Sequence, residues 1–127
     1  MKVAKITLNL SILLFTINFV FLAKSSSIND LDINGYSKLH IESIFCQFGG
    51  VITLINQGAD INLKTRFEGN TALHLATYNN CETTVKILLK RGADVFVTNH
   101  ENLTPLQVAK KYNLDRIIKL IEPYLKF

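Results

Sequence analysis

Apolar residues in the second half of the chain fall into short helical stripes that recur at a nearly constant spacing. In the middle of the chain Leu73, Leu75 and Ala76 mark the buried side of a short helix beginning after Thr71 and ending near Asn79. Thr71 is placed to cap it through its hydroxyl. Asn80 tolerates a left-handed turn or caps the next helix. Val85, Ile87, Leu88 and Leu89 then form the apolar face of a second helix, with Lys86, Lys90 and Arg91 outside. Gly92 stops it, as glycine commonly does past a helix end. The predicted unit is helix, tight turn, helix, loop.

That unit recurs. Gly69-Asn70-Thr71-Ala72-Leu73-His74-Leu75-Ala76 is echoed, at a shift of 33, by Asn102-Leu103-Thr104-Pro105-Leu106-Gln107-Val108-Ala109. Gly58-Ala59-Asp60-Ile61-Asn62 returns as Gly92-Ala93-Asp94-Val95-Phe96 at a shift of 34. In the third copy Thr104 caps and Pro105 takes the first helical position, where its missing N–H costs nothing. Asn113 is expected to start its second helix, Ile117, Ile118, Leu120 and Ile121 to fill the inner face, and Pro123 to mark the end. A first copy aligns without a gap but is worn. Ser37 to Glu42 stands where Thr71 to Ala76 stands one unit later, with Glu42 in place of Ala76 and Gly49-Gly50 in place of Thr83-Thr84. A fixed period of this size is the mark of a stacked solenoid, in which an end unit needs only one buried face. The expected architecture is all-α, with repeats at about 34–64, 68–97 and 101–127 inside a domain covering 32–127.

These residues resemble the ankyrin repeat. Its Gly-x-Thr-Pro-Leu-His-x-Ala pattern stands here as Gly69 to Ala76 without the proline, which Pro105 supplies one unit later. Its Gly-Ala-Asp-Val-Asn turn is similar to residues 58–62 and 92–96. The resemblance covers about Asp32 to Glu122. It implies three helix–turn–helix units joined by hairpin-like loops, and an interaction module that binds an unidentified protein partner through a concave face and loop tips. By register that surface takes in Tyr36 and Phe45 from the first unit. Phe67, Glu68, Tyr78 and Asn79 come from the second, and His100, Glu101, Lys111 and Tyr112 from the third. Phe45, Tyr78 and Tyr112 recur at 33 and 34 and are expected to form one row of exposed aromatics, the residue type that dominates binding hot spots. The resemblance also implies that His40 and His74 bond to the backbone of a neighbouring loop rather than to a metal. The Lys, Ile and Asn richness is similar to that of short exported ankyrin proteins of host-associated bacteria.

Residues 1–25 follow a different pattern. Lys2 and Lys5 precede an uncharged run from Ile6 to Ala23, and Lys24-Ser25-Ser26-Ser27 follows. A charged start, an apolar middle and small residues read as a secretory signal cut after Ser25. The rivals are an uncleaved membrane anchor, for which a run from Ile6 to Ala23 is at the lower edge of length, and a buried helix of the domain. In the first two cases a separate hydrophobic helix precedes the repeats, with 26–31 as a short linker. Lysines before the run and Asp30 and Asp32 after it favour export of the repeats, to the periplasm or the medium.

Composition removes several classes of function. The formal charge is +4, but setting aside Lys2 and Lys5 leaves 12 basic against 10 acidic residues. That is too little to suggest nucleic acid. No glycine-rich phosphate loop or nucleophile elbow occurs, so neither an enzyme nor a cofactor is expected. The three histidines lack the close spacing of a helical zinc site. Cys46 and Cys81 fall near the same bend of adjacent units. Stacked helices lie roughly 8–10 Å apart, whereas a disulfide needs Cα atoms within about 7 Å. The expectation is two partly buried thiols, with a bridge requiring distortion. A monomer is expected.

Overall fold

A computed structural model describes residues 26–126. The signal or anchor expected over residues 1–25, and the hydrophobic helix it implies, lie outside the described residues. Six helices follow in three pairs: α1 (Lys38–Ile44) with α2 (Phe48–Asn56), α3 (Ala72–Tyr78) with α4 (Glu82–Lys90), and α5 (Pro105–Lys111) with α6 (Asp115–Ile121), ending in a 3₁₀ turn over Glu122–Leu125. Among the described residues there is no strand, and no helix is long and apolar enough to cross a membrane. First helices pack in one row, α1 on α3 on α5. Second helices pack in another, α2 on α4 on α6.

Each first helix begins with the same reciprocal cap. Thr71 Oγ1 accepts from the His74 N–H, and His74 Nδ1 accepts from the Thr71 N–H at 3.1 Å. Ser37 with His40 and Thr104 with Gln107 repeat it. Both residues of the box occupy orphan N–H groups of the first turn. The tight turns contain one left-handed residue each: Cys46 (φ 57), Asn80 (φ 55) and Asn113 (φ 54). Asn113 is therefore the bend and not the helix start, because α6 begins further on, at Asp115.

The core lies between the two rows. Leu73, Val85, Leu88, Val108, Ile117 and Ile121 are fully buried. Alanines at 72, 76 and 109 let the first helices approach closely. Among the described residues the middle unit is buried on both sides and the first on one: α4 buries Thr84, Val85, Leu88 and Leu89, whereas α2 buries Val51.

The short linker expected over residues 26–31 is tied to the repeats, since the Asp60 N–H donates to Asn29 Oδ1 at 2.8 Å. One unit on, Asp94 N–H donates to Asn62 Oδ1 in the same way. The cysteines, expected as two thiols, are not separate. Cys46 and Cys81 form a disulfide with a Cα–Cα distance of 5.2 Å. Helix spacing governs residues at equivalent positions, and these two stand 35 apart, one more than the repeat shift of 34. Cys46 occupies the left-handed bend and Cys81 the N-cap of α4. The bend projects toward the next unit, so no helix has to move.

Candidate protein-binding surface

The loops between units build one edge of the candidate surface. Within each loop a backbone bond closes the turn: Asp32 N–H to Tyr36 O at 2.8 Å, Thr65 to Asn70 at 2.8 Å, and Asn99 to Leu103 at 3.0 Å. Between loops, Arg66 N–H donates to Gly35 O and His100 N–H to Glu68 O at 2.9 Å. The loops thus form a hydrogen-bonded stack like a short sheet edge. His74 Nε2 donates to Leu103 O at 2.9 Å and His40 Nε2 to Leu63 O at 2.8 Å. Each histidine ties the start of a first helix to the loop that follows its unit, as the resemblance implied.

Side chains then fix the loop tips. Glu68 accepts from the Tyr36 hydroxyl through Oε1 (3.2 Å) and from Thr65 Oγ1 through Oε2 (3.1 Å). His100 Nδ1 donates to Phe67 O at 2.7 Å. Its ring lies over Gly69, where a Cβ would come within 2.5 Å of His100 Cδ2. Gly69 (φ +69) therefore meets two demands at once, a left-handed backbone and room for the neighbouring ring. Phe67 remains 62% exposed beside these anchors.

The C-terminal ends of the first helices form the other edge. Tyr78 and Tyr112 meet edge to face with ring centroids 5.7 Å apart. Asn99 Nδ2 donates to the Tyr78 hydroxyl at 3.3 Å and to Asn70 Oδ1 at 3.0 Å. Lys111 Nζ pairs with Glu101 Oε2 at 3.2 Å and stands 5.7 Å from the Tyr112 ring centroid. Because Glu101 is in a loop and Lys111 at the end of α5, the two edges are one continuous face. Asn79 caps its own helix by donating to Leu75 O.

Phe45 does not extend the tyrosine pair. It stands at the C-cap of α1, as Asn79 and Tyr112 do in their units, whereas Tyr78 is the last residue of α3. Among the described residues the ring pairs are Tyr36 with His40 and Tyr78 with Tyr112, and Phe45 joins neither. Phe45 is 67% exposed.

Asn99 and Thr65 were not anticipated as part of this face. Asn99 is buried, and its Oδ1 accepts from the N–H groups of Glu101 and Leu103. Asp32, Thr65 and Asn99 stand at equivalent positions, and each side-chain oxygen accepts from backbone N–H groups of its own loop. The recurrence of a short polar residue at a loop start was the available signal.

Burial holds the Tyr78 phenol above its ordinary range, with the Glu101 charge adding to it. Burial likewise raises Tyr36, and Glu68 contributes. The hydrogen bond from Lys111 to Glu101 raises the lysine. These groups are fixed in charge at neutral pH. Burial lowers His40 and His74, despite the bonds to Leu63 O and Leu103 O, so both are neutral there. Among the described residues no three His, Cys, Asp or Glu side chains converge as a metal site would require.

Two rows of short helices with a rigid, partly aromatic loop face define a stacked-repeat scaffold, a class that presents extended surfaces to other molecules. The chain belongs to the ankyrin repeat family: the pattern for ankyrin repeats in three copies matches residues 39–124. It is 46% identical over 85 residues to an ankyrin repeat protein of fowlpox virus (strain NVSL), covering 65% of this chain and 25% of that protein. A second fowlpox ankyrin repeat protein is 39% identical over 89 residues, 68% of this chain and 20% of the viral one. An L-asparaginase of Dirofilaria immitis is 38% identical over 92 residues, 69% of this chain and 15% of that enzyme. The chain thus spans a quarter or less of these relatives' lengths. Ankyrin repeats are in general a non-enzymatic fold for protein–protein interaction.

Proposed function

We propose that this chain is a non-enzymatic protein-binding module, exported or membrane-tethered, whose partner docks across the loop tips and the ends of the first helices. One observation carries this reading. Phe67 (62% exposed) and Tyr112 (51% exposed) project from a face whose backbone is held by repeated inter-loop bonds. Aromatic rings on a rigid support bury large area on binding while few rotors freeze. Tyr36, Glu68, Asn79, His100, Glu101 and Lys111 surround them and set polarity, and Phe45 extends the face toward the first unit. The partner is a protein and not nucleic acid, given the near balance of charge. The chain acts as a monomer and needs no cofactor.

Export is supported by the charged, apolar, small-residue pattern of residues 1–25 and by the pairing of Cys46 with Cys81, a bond that persists in oxidising compartments. The periplasm or exterior of a host-associated bacterium fits both. N-terminal sequencing of the natural protein decides between the two forms: a start at Ser26 means a cut signal, a start at Met1 an anchor.

The binding surface is tested by proximity labelling with the intact protein, followed by the Phe67→Ala/Tyr112→Ala double variant. Hot-spot loss predicts a fall of about tenfold or more in the recovery of partners found with wild type, with the circular dichroism unchanged. Equal recovery from a folded double variant counts against this face.

A further inference from the structure

The bend of the first unit breaks the pattern of the other two. Where the second and third units place Asn80 and Asn113 in the left-handed conformation, the first places Cys46 at φ 57. Asparagine tolerates that region because its side chain bonds locally, and cysteine has no such compensation. The departure stands beside the second helix that buries the fewest side chains. Helix α2 buries Val51 and carries Gly49-Gly50 in its first turn. The bond from Cys46 reaches Cys81 at the N-cap of α4 and so staples the thinnest unit to the best-packed one.

The two sulfurs differ in access. Cys46 is exposed and Cys81 is 4% exposed. We propose that the Cys46–Cys81 disulfide is a thiol-sensitive clamp that decides whether the first unit stays docked on the other two. A small thiol or a dithiol oxidoreductase is the reductant. Its thiolate attacks Cys46 Sγ, the protein S–S bond breaks, and Cys81 leaves as a thiolate that takes a proton from solvent. A second thiolate displaces Cys46 from the mixed disulfide, so two reductant thiols become one disulfide and the protein gains two thiols. Opening the bond releases the loop between Cys46 and Cys81 and removes the restraint it placed on the unfolded chain. The first unit then frays and carries Tyr36 and Phe45 away from the binding face. The second and third units keep the interface made by Leu73, Val85, Val108, Ala109 and Ile117.

The proposal rests on export only for closure of the bond in the cell. Its test uses purified, oxidised full-length protein and no partner, so it stands or falls apart from the binding surface. Amide hydrogen exchange is followed by mass spectrometry with and without dithiothreitol. Reduction is expected to speed exchange over residues 37–57 about tenfold or more, and to change α3 to α6 much less. Brief treatment with limiting glutathione is expected to leave its adduct on Cys46. The Cys46→Asn/Cys81→Ser variant, with the bend residue of the other units, is expected to show the reduced pattern whether or not thiol is present. Unchanged exchange over 37–57, equal acceleration in all six helices, an adduct confined to Cys81, or a variant that behaves as the oxidised protein would each overturn it.

Discussion

Thr84 shows how a single atom can sit against its surroundings. Its side chain is fully buried in the first turn of α4, and Oγ1 has no hydrogen-bond partner. Leaving a hydroxyl buried and unpaired costs its desolvation. The equivalent place in the third unit holds Ile117, also fully buried, so the site accepts a β-branched apolar group. Thr84→Val keeps the shape and removes the unpaired oxygen. It is expected to stabilise the protein by about 1 kcal/mol, read as a rise in the urea midpoint at unchanged slope. His74 illustrates the opposite case. Nδ1 accepts the Thr71 N–H and Nε2 donates to Leu103 O, so every ring nitrogen is used and the neutral tautomer is fixed by its partners.

Helix α2 is the element on which the first unit turns. Its second glycine has a reason, because a Cβ at Gly50 would strike the Glu42 carboxyl group. Its first has none that the structure reveals, since a Cβ at Gly49 would meet nothing within 4 Å. Gly49→Ala is therefore expected to stabilise α2 by about 0.5–1 kcal/mol, measurable as a higher melting temperature. Gly50→Ala is expected to gain less, because the Glu42 side chain must swing aside. The same element explains Glu42. With Lys38 it borders a shallow groove over Ile41, Thr53 and Leu54, on the side of the unit that has no neighbour among the described residues. Ala72 and Ala76 stand at those places in the second unit and are fully buried against the first. Charged residues where a stacking neighbour would need alanine give the outer face the polarity expected of a cap.

At the scale of the molecule, stability comes from interfaces repeated along the stack, and two of them pass through a buried neutral histidine. His40 and His74 are both held below their ordinary value of 6.5 by burial. Above that value each is neutral folded or unfolded, and pH has no leverage. As pH falls below it, the unfolded chain takes up protons that the folded one refuses, so stability declines until the folded values are passed. Protonation also places a hydrogen on Nδ1, where the capping N–H of Ser37 or Thr71 points. Gln107 performs the same capping in the third unit without titrating. A melting temperature that drops on acidification below the ordinary histidine value is expected for wild type, with a shallower drop in His40→Gln/His74→Gln. An equally steep drop in the double variant would place the acid sensitivity elsewhere.

The repeat shifts of 33 and 34, the capping residues Ser37, Thr71 and Thr104, and the apolar stripes around Leu73, Val85 and Leu88 were sufficient for the three helical pairs and their order. They are local signals: capping and amphipathic spacing act within a turn or two of helix, so a linear reading captures them. The candidate face was legible only as a set of register positions. Which rings meet was not legible there: Tyr78 reaches Tyr112, and Phe45 joins neither. The joining of Cys46 to Cys81, the hold of Asn29 on Asp60 and the support of Tyr78 by Asn99 were decided by tertiary structure alone. Each links residues 21 to 35 positions apart, and such a link depends on how far a bend or loop projects toward the next unit. Spacing along the chain records the period of the stack, while these projections arise only when the units are laid against one another.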